Sequence, residues 1–152
     1  MYTSKEMQVV AVTNRSLCHR PFLEQLEMVC QTHPAFIILR EKDLPAQEYE
    51  KLAAQVLELC HSYEVPCVLH TYPNAARALG CTSIHLPLPL LREYAHELND
   101  FTQIGSSVHS VEDAMEAERL GATYVTAGHV YVTDCKKGLA PRGLDFLRNV
   151  CK

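Results

Sequence analysis

A chain of 152 residues with a formal net charge of −4 has the length of one domain with its own core. Its 47% apolar and 21% charged residues match an ordinary globular protein and exclude intrinsic disorder. No apolar run approaches the ~20 residues of a membrane span, no Lys/Arg stripe points to nucleic acid, and Met1-Tyr2-Thr3-Ser4-Lys5-Glu6 does not read as a secretory leader.

Two periodicities alternate along the chain. Residues 8–13 form a short β-branched apolar run, a weaker helical pattern covers 21–32, and a second apolar run covers 35–40. Residues 46–63 then carry Tyr49, Leu52, Ala53, Val56, Leu57 and Cys60 on one helical stripe, with Pro45 before it and Pro66 after it, the positions expected at a helix start and stop. A strand over 66–70, a helix over 74–79, a strand over 83–86 and a helix over 90–98 follow. The strand at 102–106 leads to a helix at 111–120, opened by Ser110 as N-cap with Asp113 three residues on and closed by Gly121. A last strand at 123–127 and a helix at 144–150 complete the series. Short, nearly continuous apolar strands alternating with helices predict an α/β fold on a parallel sheet. No linker or low-complexity tract interrupts it, so residues 1–152 read as a single domain.

Seven cysteines form no C-x-x-C pair, and several sit inside apolar runs. They read as free thiols acting as small hydrophobes in a reduced, cytoplasmic protein. No pair of His or Cys has the spacing of a structural zinc site, so no metal is expected. In parallel α/β folds chemistry gathers at the carboxyl ends of strands. Here those ends read Thr13-Asn14-Arg15, Arg40-Glu41-Lys42-Asp43, His70-Thr71-Tyr72, His85-Leu86-Pro87, Ser106-Ser107-Val108-His109 and the long loop 128–138. That last loop carries hydroxyl, thiol and ammonium groups and ends in glycine, which suits an anion.

These strings resemble the thiamine-phosphate synthase and TenI family. The likeness runs from Ala11-Val12-Thr13 through Leu39-Arg40-Glu41-Lys42-Asp43 and Ile84-His85-Leu86. It is most specific in Gly105-Ser106-Ser107-Val108-His109-Ser110 and Ala127-Gly128-His129-Val130-Tyr131-Val132-Thr133-Asp134-Cys135-Lys136-Lys137-Gly138. The resemblance implies a TIM-type (β/α)8 barrel that binds a phosphorylated thiazole at its C-terminal face. Only about six βα units fit in this chain, at ~25 residues each, where such a barrel has eight. The last two are therefore expected to be absent, through truncation, exchange of elements in a homodimer, or degeneracy.

Within the family the residues favour one of two chemistries. The synthase branch carries Gln-x-Arg-x-Lys on the second strand, where Ile38, Arg40 and Lys42 stand here; it carries Asn-Asp-Arg on the third, where His70-Thr71-Tyr72 stands. It also has an Asp beyond His85-Leu86, where Pro87-Leu88-Pro89-Leu90 follows. Both carboxylates expected to hold Mg²⁺ are thus missing, and a hard cation wants such oxygens. The tautomerase branch is the expectation that follows: an isomerase needing no cofactor, moving a proton around a 2-carboxythiazole phosphate to make it aromatic. His129 is the acid/base candidate, since histidine offers both protonation states near neutrality. The resemblance makes Ser107, Thr133 and Lys136 phosphate ligands, with Arg40 and Lys42 also binding substrate, and Ser106 stands where the tautomerase often has Arg. The alternatives are the Mg²⁺-dependent synthase, a transferase, and a non-catalytic module that binds thiazole phosphate. Neither nucleic acid nor membrane is expected as a partner.

Overall fold

The computed structural model describes residues 7–152; the leader reading of Met1–Glu6 lies outside the described residues. They fall into two compact units, meeting between Ser83 and Ile84. The first holds β1 (Val10–Val12), α1 (Phe22–Cys30), β2 (Phe36–Leu39), α2 (Ala46–Ser62), β3 (Cys67–His70) and α3 (Pro73–Ala78). The second begins at β4 (Ser83–Pro87) and holds α4 (Leu88–Tyr94), β5 (Gln103–Val108), α5 (Val111–Arg119), β6 (Tyr124–Ala127) and α6 (Gly143–Val150). Strand and helix alternate throughout, and the fold is α/β, built from six of the βα units of a TIM-type barrel.

In the first unit β1 pairs with β2, and β2 with β3, all parallel, with Ile37 opposite Cys67 and Leu39 opposite Leu69. Ile37, Leu39, Val68 and Leu69 are fully buried, as expected for strands covered on both faces. β1 differs: Val10 and Val12 are 38% and 55% exposed, because no described residue covers their side of the strand. Helix α2 packs through Tyr49, Ala53, Val56 and Cys60, the stripe that the periodicity predicts.

Tyr49 does more than fill space. Its hydroxyl donates to Leu39 O at 2.7 Å and accepts from His70 N at 2.7 Å. Ile37 N donates to Pro66 O, and continuing that parallel pattern would bring His70 N to Leu39 O directly. The Tyr49 hydroxyl therefore bridges the two backbone groups at the next rung of the β2–β3 ladder. Tyr49→Phe leaves both backbone groups buried without this partner, and is expected to lower stability by about 2 kcal/mol, read as a smaller urea midpoint at unchanged slope.

In the second unit β5 pairs parallel with β6, Gly105 opposite Tyr124 and Ser107 opposite Thr126. Helices α4 and α5 pack against β5. Ser110 caps α5 by accepting from Asp113 N at 3.0 Å, and the Asp113 carboxylate accepts from His109 N at 3.0 Å, a capping box displaced by one residue. Gly121, at φ +96°, ends the helix region in a conformation that favours glycine. Between α4 and α5, Arg92 grips Glu116 through two bonds of 2.6 and 2.8 Å, which holds the Glu116 carboxyl below its ordinary value. A carboxyl lowered in the folded state stabilises above the unfolded value of about 4.3 and loses that contribution as pH falls through the folded value. The difference in melting temperature between the native chain and Arg92→Gln is therefore expected to shrink from pH 7 to pH 3.

Candidate active site

Each unit presents its own set of polar strand ends. In the first, Thr13 Oγ1 accepts from Arg40 N at 2.9 Å, and Thr13 N continues the ladder to Ile38 O. Glu41 is only 4% exposed and accepts from Arg15 N at 3.0 Å and from Arg15 Nε at 3.1 Å. Arg15 also donates to Asp43 at 2.6 Å; Asp43 first, then Glu41, holds its guanidinium above the ordinary arginine value. The acids of the β2 end are thus engaged by one arginine. Arg40 beside them is half-buried and Lys42 is exposed, so the two predicted cations frame Glu41 in sequence. At the β3 end His70 is buried, with its Nδ1 2.6 Å from Thr71 Oγ1. Thr71 adopts φ +72°, an unfavourable conformation for a β-branched residue. Tyr72 turns back to donate to Leu44 O and rests against the Tyr49 ring at 5.0 Å.

The second unit builds a continuous polar network. His85, 2% exposed, places Nδ1 3.0 Å from Tyr124 Oη and Nε2 2.9 Å from Ser107 Oγ. Thr126 Oγ1 donates to Ser107 Oγ at 3.2 Å. Burial pushes the Tyr124 phenol well above its usual value, so it stays protonated at neutral pH. Gly105 makes the arrangement sterically feasible: a Cβ there would run into the end of the Tyr124 ring and His85 Nδ1. Alternation along β5 and β6 puts Gly105, Ser107, Tyr124 and Thr126 on one face.

The predicted residues separate accordingly. Ser107 lies inside the His85 network. His129 is half-buried after β6; its Nε2 is shut from solvent without a hydrogen-bond partner, while His109 Nδ1 donates to the preceding Gly128 O at 2.9 Å. Thr133 caps a 3₁₀ turn over Asp134–Lys136 by accepting from Cys135 N at 3.3 Å, a role that does not use its O–H as a donor. Lys136 is exposed on that turn. Sequence reasoning passed over Tyr124, Thr126 and Glu41. The signal for Tyr124 was Gly105, since an isolated glycine inside a strand marks close approach of another group.

The magnesium ion implied for the synthase branch finds no suitable donors here. At the β3 end Thr71 is bonded to His70. At the β4 end Pro87 caps α4 directly, with Leu88 and Leu91 buried behind it. Among the described residues no group of three or more His, Cys, Asp or Glu is placed to hold a metal ion. Nor is any helix among them long and apolar enough to cross a membrane.

Comparison with known proteins adds independent information. The family model described as thiamine monophosphate synthase matches residues 9–152. A thiamine-phosphate synthase of Clostridium acetobutylicum is 29% identical over 150 residues, covering 95% of this chain and 70% of that protein. A protein of Aquifex aeolicus named putative thiamine-phosphate synthase 2 is 31% identical over 144 residues, covering 94% of this chain and 77% of its own. Among solved structures, thiamine phosphate pyrophosphorylase from Pyrococcus furiosus superposes with a TM-score of 0.75 at 27% identity, over 94% of this chain and 68% of that one. These relatives overturn the expected tautomerase, since synthase names accompany matches along nearly the whole chain. The tautomerase reading rested on a few departures, at Ile38, 70–72 and 87–90, and on His129.

Proposed function

The chain belongs to the thiamine monophosphate synthase family, and from that premise we propose that it is an enzyme of thiamine biosynthesis, a transferase of the thiamine-phosphate synthase type. Its substrates would be phosphorylated small molecules: a thiazole phosphate and a pyrimidine carried on pyrophosphate. The observation that supports this most is the match over 9–152, joined by relatives of the same name at 29% and 31% identity. In the reaction the thiazole nitrogen forms a bond to the pyrimidine methylene while the carbon–oxygen bond to pyrophosphate breaks. The leaving group carries off the electron pair and needs positive charge around it.

Arg40 and Lys42 are the proposed source of that charge in the first unit. In the second, Ser107 is the proposed phosphate ligand, with Thr133 and Lys136 on the loop beyond β6. The His85 network suits Ser107 to this role. With Tyr124 donating to His85 Nδ1, Nε2–H donates to Ser107 Oγ, and Thr126 donates to the same oxygen. Ser107 then keeps its own hydrogen to donate to a phosphate oxygen.

The test is direct. The protein mixed with both precursors, with and without added Mg²⁺, is expected to form thiamine phosphate. The shortage of carboxylates at the β3 and β4 ends favours one other reading, a module that binds thiazole phosphate without turning it over. Saturable calorimetric binding of the thiazole phosphate with no product in either mixture would establish that reading and end the transferase one.

A further inference from the structure

Four of the seven cysteines lie in the first unit around the amino-terminal end of β3, remote from the strand ends just described. Cys30 ends α1, Cys60 lies in the last turn of α2, Cys67 opens β3, and Cys81 follows α3. All are free thiols. Cys60, Cys67 and Cys81 line one cleft of about 400 Å³ together with His61, Val65 and Leu79. Cys81 Sγ approaches the carbonyl of Cys67 at 3.7 Å and that of Ser83 at 3.4 Å. Cys67 and Cys30 both act on the titration of the Cys60 thiol. Cys60 therefore borders the cleft beside Cys67 and Cys81 and is the thiol on which both Cys67 and Cys30 act.

We propose that Cys60 and Cys67 form a reversible disulfide when a hydroperoxide enters this cleft. The two residues flank a short turn in which Val65 N bonds back to Cys60 O at 2.9 Å, and both line the same cleft, so the pairing asks for no long-range movement. Cys67, the largest influence, and Cys30 hold the Cys60 thiol below its ordinary value against the burial that raises it. Cys30 is pushed up to about 12 by burial, which keeps it protonated. A thiolate is the reactive form towards peroxide.

The chemistry balances with one oxidant. The Cys60 thiolate attacks a peroxide oxygen, the O–O bond breaks, and the departing alkoxide takes up a proton to leave as an alcohol, or as water from hydrogen peroxide. The Cys60 sulfenic acid so formed is attacked by the Cys67 sulfur; the S–S bond forms, the S–OH bond breaks, and the hydroxide leaves as water with the Cys67 proton. Two sulfurs are each oxidised by one electron and the peroxide is reduced by two. Cys60 is only 1% exposed, which disfavours bulky oxidants and leaves the route to molecules near the size of water.

Peptide mapping of the full chain treated with hydrogen peroxide tests this. A protease that cuts after glutamate separates the peptide 59–64 from that beginning at Val65, because Glu58 and Glu64 flank Cys60. Without reductant the two peptides are expected to remain joined, with fragmentation placing the link on Cys67, and dithiothreitol is expected to release them. Cys81→Ser should keep the linkage and Cys67→Ser should lose it. Cys60 and Cys67 both remaining open to alkylation after the exposed Cys135 and Cys151 are oxidised would overturn the proposal. So would a wild-type link placed on Cys81, a result that needs no variant to fold.

Discussion

Valine at position 105 is expected to cost about 3–4 kcal/mol, the sum of overpacking and one lost hydrogen bond. A loss of that size consumes much of the stability of a typical domain. The cost begins at the β carbon, before the branch is counted: that atom would overlap Tyr124 Cζ, Tyr124 Oη and His85 Nδ1. The Tyr124 ring must swing away, and its bond to His85 goes with it. Urea unfolding of Gly105→Val should show a lower midpoint with an unchanged slope. Gly105→Ala should show a smaller loss of the same kind. Combining Gly105→Ala with Tyr124→Leu should recover part of it, because the smaller side chain removes the obstacle. A double variant that merely adds the two single losses would show that Gly105 and Tyr124 are not coupled.

The second large effect is expected at His85. Phenylalanine there fills similar space but takes the shared partner from Ser107 and Tyr124. The Ser107 hydroxyl keeps Thr126 at 3.2 Å and loses the bond that fixes its hydrogen. On the proposed transferase reading turnover should fall about a hundredfold, the scale of a misplaced positioning group. The fall should appear in kcat as well as KM, while the folded chain keeps its circular dichroism. Tyr124→Phe removes only the outer bond of the network and should cost about tenfold less than His85→Phe. Equal losses in the two variants would mean that the ring serves packing rather than the orientation of Ser107.

Much of this architecture is written in local patterns. The stripe from Tyr49 to Cys60 on α2, the Ser110 cap with Asp113, and Gly121 closing that helix region each carry their cause in a few adjacent residues. The polar network does not. Whether His85 meets Ser107 and Tyr124 depends on the parallel register that sets Gly105 opposite Tyr124, and a one-residue slip would turn those side chains to the other face. Glu41 was equally hidden, since an acid between Arg40 and Lys42 reads as a solvated loop residue until Arg15 arrives from the end of β1. For the chemistry, the departures at 70–72 and 87–90 were legible as missing metal ligands. They did not decide the branch of the family, because a missing ligand argues against one mechanism without supplying another.

The hydroxyl of Tyr49, set between Leu39 and His70, makes one amide a reporter. Most strand amides exchange with solvent deuterium when the sheet itself opens. The His70 amide donates to an acceptor on α2, so its exchange should respond to that helix lifting as well as to opening of the sheet. Its protection factor, compared between the native chain and Tyr49→Phe and set against that of an amide in the β2–β3 ladder such as Ile37 N, measures how much the helix layer adds to the closure of the sheet.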